Sequence, residues 1–352
     1  MLAISRVAVV VFRVRWAHGA KTRLTTMETR MLGRTGRAVS VVGMGCWQIG
    51  GSWGQVSESA ALDTLRASAD AGVTFFDTAD VYGDGRSERL VGQLLKEREG
   101  LFVATKMGRR ADPFVAESYT LEAYRGWLDR SRLNLGVDTI DLVQLHCPPP
   151  AVISSEASYD ELDLLVEEGV IASYGVSVET VDEALTAIAR PHVASVQIIL
   201  NAFRRKPLEQ VLPAALTAGV GIIARVPLAS GLLSGRFTRE STFAADDHRT
   251  YNRHGEQFDK GETFSGVPYA VGVDAAQEVA ALTPDGMTTA QLALRWILDQ
   301  PGVSTVIPGA RDADQAVANA AAGSLPPLSA EVADGLERVY DERIRGHVHH
   351  QW

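Results

Sequence analysis

Cysteine is nearly absent from this chain. Cys46 and Cys147 are the two thiols in 352 residues. They are too few for a disulfide framework, so a reducing, cytoplasmic setting is expected. Long apolar runs are missing as well. The stretch from Val7 to Val14 is interrupted by Arg13 and is too short to cross a bilayer, so no membrane association is expected. Acidic residues are absent from the first 26 positions, although Arg6, Arg13, Arg15, Lys21 and Arg23 lie there. All 43 acidic residues therefore fall later, against 29 basic ones, and the whole chain carries a net charge of −9. That balance argues against nucleic acid or an anionic membrane as the main partner, while leaving room for a local basic pocket. No G-x-G-x-x-G follows the first strand-like run, although Gly43, Gly45, Gly50 and Gly51 cluster there. An open doubly wound sheet usually shows that fingerprint.

What is present is a globular composition, 46% hydrophobic and 22% charged, in a chain long enough to bury a full core. Residues 1–26 are expected to lie outside the fold, either as a disordered extension or as residues ahead of a true start at Met27. A targeting peptide is the alternative for a basic, acid-free, partly apolar leader. Residues 27–352 are expected to form one domain.

Eight short strand-like runs follow one another: Ser40–Gly45, Thr74–Asp77, Phe102–Thr105, Ile140–Leu145, Ala172–Val176, Ser195–Ile199, Gly221–Ala224 and Ser304–Ile307. Helical patterns separate them, including Glu58–Ala71, Leu121–Leu135 and Thr289–Leu298. Alternating strands and helices imply a parallel sheet, and eight repeats over this length imply a closed (β/α)₈ TIM barrel of the α/β class. Upstream, Thr29–Leu32 and Ala38–Val39 flank a Gly-bracketed turn, which reads as a β-hairpin plugging the N-terminal end. Glu331–Arg345 reads as a C-terminal helix, followed by a solvated tail with His347, His349 and His350. Ser234–Val271 reads as mostly irregular, a candidate binding loop or an ordered surface insertion.

Barrel chemistry sits at the C-terminal strand ends. The runs here lead in order to Asp77 and Asp80, Lys106, His146, Ser177, Gln197 with Asn201, Arg225, and Pro308-Gly309-Ala310-Arg311. A polar residue after one strand is ordinary, but seven in succession imply a wide polar mouth. Asp77 and Lys106 end adjacent strands and could pair. Tyr82 lies five residues after Asp77 in a loop with Gly83 and Gly85, able to turn over the mouth. A nearby cation makes a phenol a better acid. Arg311, Gln315 and Asn319 are spaced by four at the start of a helix expected over Asp312–Ala322, which is a ready phosphate site. Trp47 and Trp53 either line a substrate pocket or cover the rim. A metal-dependent hydrolase using Asp77, Asp80 and His146 is a rival reading that leaves Tyr82 and the Arg311 helix unexplained.

These same residues carry a resemblance. Phe75-Phe76-Asp77-Thr78-Ala79-Asp80-Val81-Tyr82-Gly83-Asp84-Gly85-Arg86-Ser87-Glu88 is similar to the signature of the aldo-keto reductase family. So are Thr105-Lys106, Leu145-His146, Gly175-Val176-Ser177, the stretch from Pro227 to Gly235, and Ile307 to Arg311, in order from about Met31 to Ala322. The resemblance, to a bacterial-type branch, implies NADPH-dependent reduction of aldehyde or ketone carbonyls, with a small-molecule carbonyl substrate and no metal. It assigns Tyr82 as general acid, tuned by Asp77 and Lys106, with His146 orienting the carbonyl. It places Ser177 and Gln197 at the nicotinamide carboxamide. Leu228, Gly231 and Leu233 fall in the loop over the pyrophosphate, Arg311 at the 2′-phosphate and Gln315 and Asn319 near adenine, with Gly309 and Arg225 among the other cofactor-binding residues. Two positions depart from the commoner pattern. Val178 replaces an Asn, whose contact Asn201 could supply. Arg225 replaces a Tyr, and a guanidinium can also stack on a planar ring. Some relatives of this fold, the β subunits of potassium channels, act mainly as cofactor-loaded partners, which is the alternative function.

Overall fold

The structure, a computed structural model, describes residues 27–51 and 56–352. The expectations for residues 1–26 and for Trp53 lie outside the described residues. Two strands, β1 (Thr29–Met31) and β2 (Ala38–Ser40), form an antiparallel hairpin. Eight more are parallel and neighbour one another in chain order: β3 (Met44–Gly45), β4 (Phe75–Asp77), β5 (Phe102–Met107), β6 (Leu142–His146), β7 (Tyr174–Ser177), β8 (Ser195–Ile199), β9 (Gly221–Arg225) and β10 (Val303–Val306). The first and last meet at a seam. Parallel bridges join Val42 to Val306 and Gly45 to Gly309, with Gly43 N donating to Val306 O at 2.8 Å and Gly45 N to Pro308 O at 3.0 Å. The eight runs thus close the (β/α)₈ barrel.

The pleat decides which residues meet. Successive strand residues face opposite sides. On β5, Val103 and Met107 join the layer between sheet and helices, with Leu65, Leu90 and Leu128. Phe102 and Ala104 turn into the barrel and pack with Phe75, Leu142, Ile223 and Ile307. Leu32 and Val39 of the hairpin complete that inner cluster, which is the expected plug. Arg34 fixes the hairpin tip, donating to Arg190 O, Val193 O and Ala218 O at 3.1, 3.0 and 2.6 Å. Above the apolar layer the same inward positions become polar, and they form the site described below.

The helices begin where sequence caps them. Thr120 caps Leu121–Leu135, which ends at Gly136, and Thr288 forms a capping box with Gln291 ahead of Thr289–Leu298. Asp312 is the cap of Ala313–Ala321 rather than part of that helix. Two expectations hold only in part. The Ser234–Val271 segment is not plain irregular chain, since it holds helical turns at His248–Tyr251, Lys260–Glu262 and Phe264–Gly266 and runs into the helix Tyr269–Ala281. The terminal helix covers Ala330–Val339 and widens at Tyr340–Ile344; His347 and His350 of the tail are exposed as expected, but His349 and Trp352 dock. His349 bonds Tyr340 Oη at 2.7 Å and Glu209 at 2.8 Å, and the Trp352 indole donates to Asp259 at 3.1 Å while stacking on Arg204. No described helix is long and apolar enough to cross a membrane.

The hairpin tip yields a paired prediction. Gly33 and Gly36 both have positive φ, at 49° and 68°. A Cβ on Gly33 would sit 2.1 Å from Ala194 O, whereas one on Gly36 meets nothing within 4 Å. Gly36→Ala should cost about 1 kcal/mol and Gly33→Ala well over about 2 kcal/mol in urea unfolding, because only the latter must also displace the plug. Equal losses would mean that the tip does not seat against the barrel.

Candidate active site

The polar layer centres on a buried ion pair. Lys106 Nζ lies 2.5 Å from Asp77 Oδ1 and also donates to Thr78 O at 2.8 Å. The other carboxylate oxygen, Oδ2, accepts from Gln144 at 3.0 Å and from Gln197 at 2.8 Å, and those two amides bond each other at 3.0 Å. Residues from β4, β5, β6 and β8 therefore converge inside the barrel. Every polar group around Asp77 is answered, which is what a buried charge requires. Gln144 was not anticipated, although it stands two residues before His146 and so shares its face of β6.

Tyr82 hangs over this network. Its hydroxyl is 3.4 Å from Lys106 Nζ, and the ammonium lies 5.0 Å from its ring centre. Burial raises the phenol's pKa, and Lys106 offsets part of that rise. The hydroxyl is therefore held protonated through neutral pH. Burial works against the Lys106 ammonium, but Asp77 and Tyr82 outweigh it, and the lysine stays charged. The His146 ring stands edge-on to Tyr82 at 5.9 Å. Burial first, then Arg109, Lys106 and Arg225, hold this imidazole well below its ordinary pKa, so it is neutral. Its Nδ1 is buried without a hydrogen-bond partner.

These groups lie at one end of a cavity of about 650 Å³. Its wall includes Asp77, Tyr82, His146, Ser177, Gln197, Arg225, Leu228, Gly231, Gly309, Arg311, Gln315, Asn319 and Trp47, so most of the expected residues share one space. Trp47 stacks beside Tyr82 at 6.1 Å. Lys106 stands behind Asp77 and Tyr82 instead of on the wall. Leu233 is also off the wall, its side chain turned into the core.

Three positions are engaged by partners that the sequence does not reveal. Asn201 does not reach the cavity, because its amide is consumed by Val226 O, Ser265 Oγ and Phe203 N. Arg225 is no loose plate. It is clamped by Glu179 at 2.9 Å, by Glu262 and by Val178 O. The first comes from the loop after β7 and the second from the helical turn Lys260–Glu262, and neither was foreseen. Burial pushes Glu179 up, but Arg225, Arg204 and Arg109 outweigh it and hold it below the ordinary carboxylate range. Glu262 is raised by burial, which Arg225 only partly offsets. Asp80, finally, is off the cavity wall. It is fully buried with Arg110 Nε at 3.2 Å, beneath the loop that carries Tyr82. No cluster of three His, Cys, Asp or Glu suited to a metal occurs among the described residues.

The far end of the cavity is built on the last barrel loop. Asp312 accepts from Gln315 N at 2.8 Å, Gln315 accepts from Arg311 N at 3.1 Å, and Asn319 donates to Gly309 O at 3.2 Å. The Arg311 guanidinium is exposed and pairs with no carboxylate among the described residues. Arg236, which sequence reasoning missed, lines the same end and is likewise exposed and without an ion pair there. Between the two ends runs the segment after β9, where Val226, Ala229, Ser230 and Gly231 all have positive φ. Ser230 Oγ holds it, donating to Glu262 O at 2.9 Å and accepting from Phe264 N at 3.0 Å.

Residues 41–341 match the Aldo/keto reductase family, and the chain belongs to that family. It is 34% identical to the aldo-keto reductase YhdN of Bacillus subtilis over 297 residues, 82% of this chain and 86% of the relative. It is 31% identical to a probable voltage-gated potassium channel subunit beta of Oryza sativa subsp. japonica, covering 90% of this chain and 98% of that one. Among solved structures, a glycerol dehydrogenase from Gluconobacter oxydans superposes with a TM-score of 0.73 at 28% identity, over 92% of this chain and 97% of its own. An aldo-keto reductase from Klebsiella pneumoniae, solved in complex with NADPH, gives 0.66 at 26%, over 90% and 95%.

Asp80 supplies a pH test. Burial, and then Glu88, raise its pKa from 3.8 to about 7, against Arg110. Between those values the folded chain keeps a proton that the unfolded chain releases, so rising pH costs the fold stability in that window. Asp80→Asn stays neutral throughout. Its stability relative to wild type should rise by up to a few kcal/mol from pH about 4 to about 7 and then level off, read by urea unfolding at several pH values. A flat difference would show the carboxylate already ionised in the fold.

Proposed function

We propose that this protein is an NADPH-dependent reductase of aldehyde or ketone carbonyls, with Tyr82 as the proton donor. One observation carries the reading. A protonated phenol beside a buried ammonium faces a neutral imidazole at one end of a cavity, and two unpaired guanidiniums wait at the other. The cavity fits a dinucleotide phosphate in its chemistry. Arg236 and Arg311 suit a terminal phosphate, with the N-terminus of Ala313–Ala321 adding its partial positive charge. Gln315 and Asn319 suit the adenosine. The tight segment around Leu228 and Gly231 suits the pyrophosphate. Ser177 and Gln197 suit a carboxamide, and Gln197 retains its carbonyl oxygen as an acceptor because its NH₂ is turned to Asp77.

The bound nicotinamide would supply the hydride. The chain's own residues do the rest. Neutral His146 and the Tyr82 hydroxyl both donate to the substrate carbonyl oxygen, which favours the charge that develops there. Tyr82 then releases its proton to that oxygen, and Lys106, 3.4 Å away, stabilises the phenolate left behind. Asp77 keeps Lys106 in place, and its amide partners keep Asp77 from competing as a base. Trp47 shields the mouth from water on one side.

A second reading, a cofactor-loaded regulatory protein with little turnover, is favoured by the likeness to the rice channel subunit. Turnover separates the two. Tyr82→Phe should lower kcat for a reactive aldehyde by at least about 100-fold while NADPH still binds. Undiminished turnover would remove Tyr82 from the mechanism, and tight NADPH binding with no wild-type turnover would favour the second reading. Arg236→Ala and Arg311→Ala should each raise KM for NADPH by about 10-fold or more and leave KM for NADH unmoved. Equal effects on both cofactors would place the phosphate elsewhere.

A further inference from the structure

Arg109 is unlike the other arginines at the reacting end of the cavity. Arg225 and Arg249, which also reach the wall, are each held closely by carboxylates: Arg225 by Glu179 and Glu262, Arg249 by two bonds to Asp247 at 2.9 and 2.5 Å. Arg109 forms one ion pair, with Glu179 at 3.8 Å, and one weak bond from its Nε to His146 O at 3.4 Å; its side chain also meets Cys147, and the Glu262 carboxylate bears on its charge from further off. Glu179 spends its better-placed oxygen, Oε2, on Arg225. The Arg109 side chain is 26% exposed, and that exposure opens into the cavity that holds Tyr82 and His146. Gly108, with φ 106°, turns the chain after β5 so that Arg109 swings back over the mouth. A guanidinium has five donors. None of them meets a carboxylate at hydrogen-bond distance, and the residue lines the cavity, in a setting that screens charge less than water does.

We propose that Arg109 binds a carboxylate on the substrate, so that the preferred substrates are aldehydes or ketones bearing a carboxylate within reach of the carbonyl. The inference rests on the carbonyl-reductase reading and names the substrate class for that site. The carbonyl lies between Tyr82 and His146, and Arg109 bonds the backbone of His146, so the anion sits on the His146 side. The opposite side, where Trp47 stands with Phe258 at 5.8 Å and with Tyr251 further along the wall, is aromatic and suits the uncharged body of the molecule. Arg109 takes no part in moving the hydride or the proton. It selects and orients.

A matched pair of substrates tests this: 4-carboxybenzaldehyde and its neutral isostere 4-formylbenzamide, each assayed with NADPH on wild type, Arg109→Lys and Arg109→Gln at fixed ionic strength. Wild type should favour the carboxylate in kcat/KM by about 10- to 100-fold, the range of a charge-assisted hydrogen-bonded contact. R109Q should lose that preference through KM for the carboxylate alone, with kcat and the neutral aldehyde little changed, and R109K should restore part of it. No wild-type preference, or an equal loss on both aldehydes that lysine does not rescue, overturns the proposal and leaves Arg109 as a brace for Glu179. Wild type that turns over the neutral aldehyde well but rejects the carboxylate overturns the anion site while sparing the reductase reading. Turnover of neither aldehyde, nor of other carbonyls, removes both.

Discussion

The contact on which this site depends is the buried pair between Lys106 and Asp77. An ammonium and a carboxylate taken out of water are costly unless each is bonded on every side. Here the lysine meets Asp77, Thr78 O and Tyr82, and the aspartate meets Lys106, Gln144 and Gln197. Four strands must keep their register for these bonds to form together. A slip of one residue in any strand would turn its polar group toward the helices and leave its partners bare. The chemistry and the closed barrel therefore constrain each other, and the pair gives Tyr82 its charged neighbour only while the barrel is intact.

The inner surface divides into two storeys for the same reason. Below, Leu32, Val39, Phe75, Phe102, Leu142 and Ile223 fill the space and need no partners. Above, two residues further along the same strands, stand Asp77, Gln144 and Arg225, with Lys106 higher still on β5. The lower storey is rigid packing, and the upper storey is a network whose members hold one another. Around it the loops contribute charge from a distance. Glu179 and Glu262 turn Arg225 from a free cation into a fixed strut between the barrel and the long connection after β9.

Much of this was legible in the chain. The eight strand-like runs, the plug, and the line of polar residues at strand ends follow from a period of two and from where apolar runs stop. Tyr82, His146 and Ser177 stand out because they lie next to those stops. Other parts were not legible, because their signal is pairing across long sequence distances. Glu262 gains its meaning only when a loop brings it to Arg225, 37 residues away, and Arg204 meets Trp352 from across the fold. Asn201 looked available because it follows a strand, yet its amide closes a local turn and ties down Ser265. Gln144 was hidden by sitting inside an apolar run, where a lone amide resembles noise until its neighbours are known. The histidine tail looked wholly solvated because the turn that brings His349 back to Tyr340, and the approach of Glu209 from another part of the barrel, leave no mark in the local pattern.

The seam between β3 and β10 has a thermodynamic consequence. The first barrel strand is two residues long, and closure there depends on a few backbone bonds around Gly43 and Gly45. Gly45 lies on one side of that join and Gly309 on the other, and both border the cavity. Any molecule bound along the cavity touches both flanks and fastens the beginning of the barrel to its end. Its binding energy then adds to the resistance of the fold, in proportion to the logarithm of its concentration over its dissociation constant. The melting temperature of this protein is accordingly a property of the solution around it as much as of the chain.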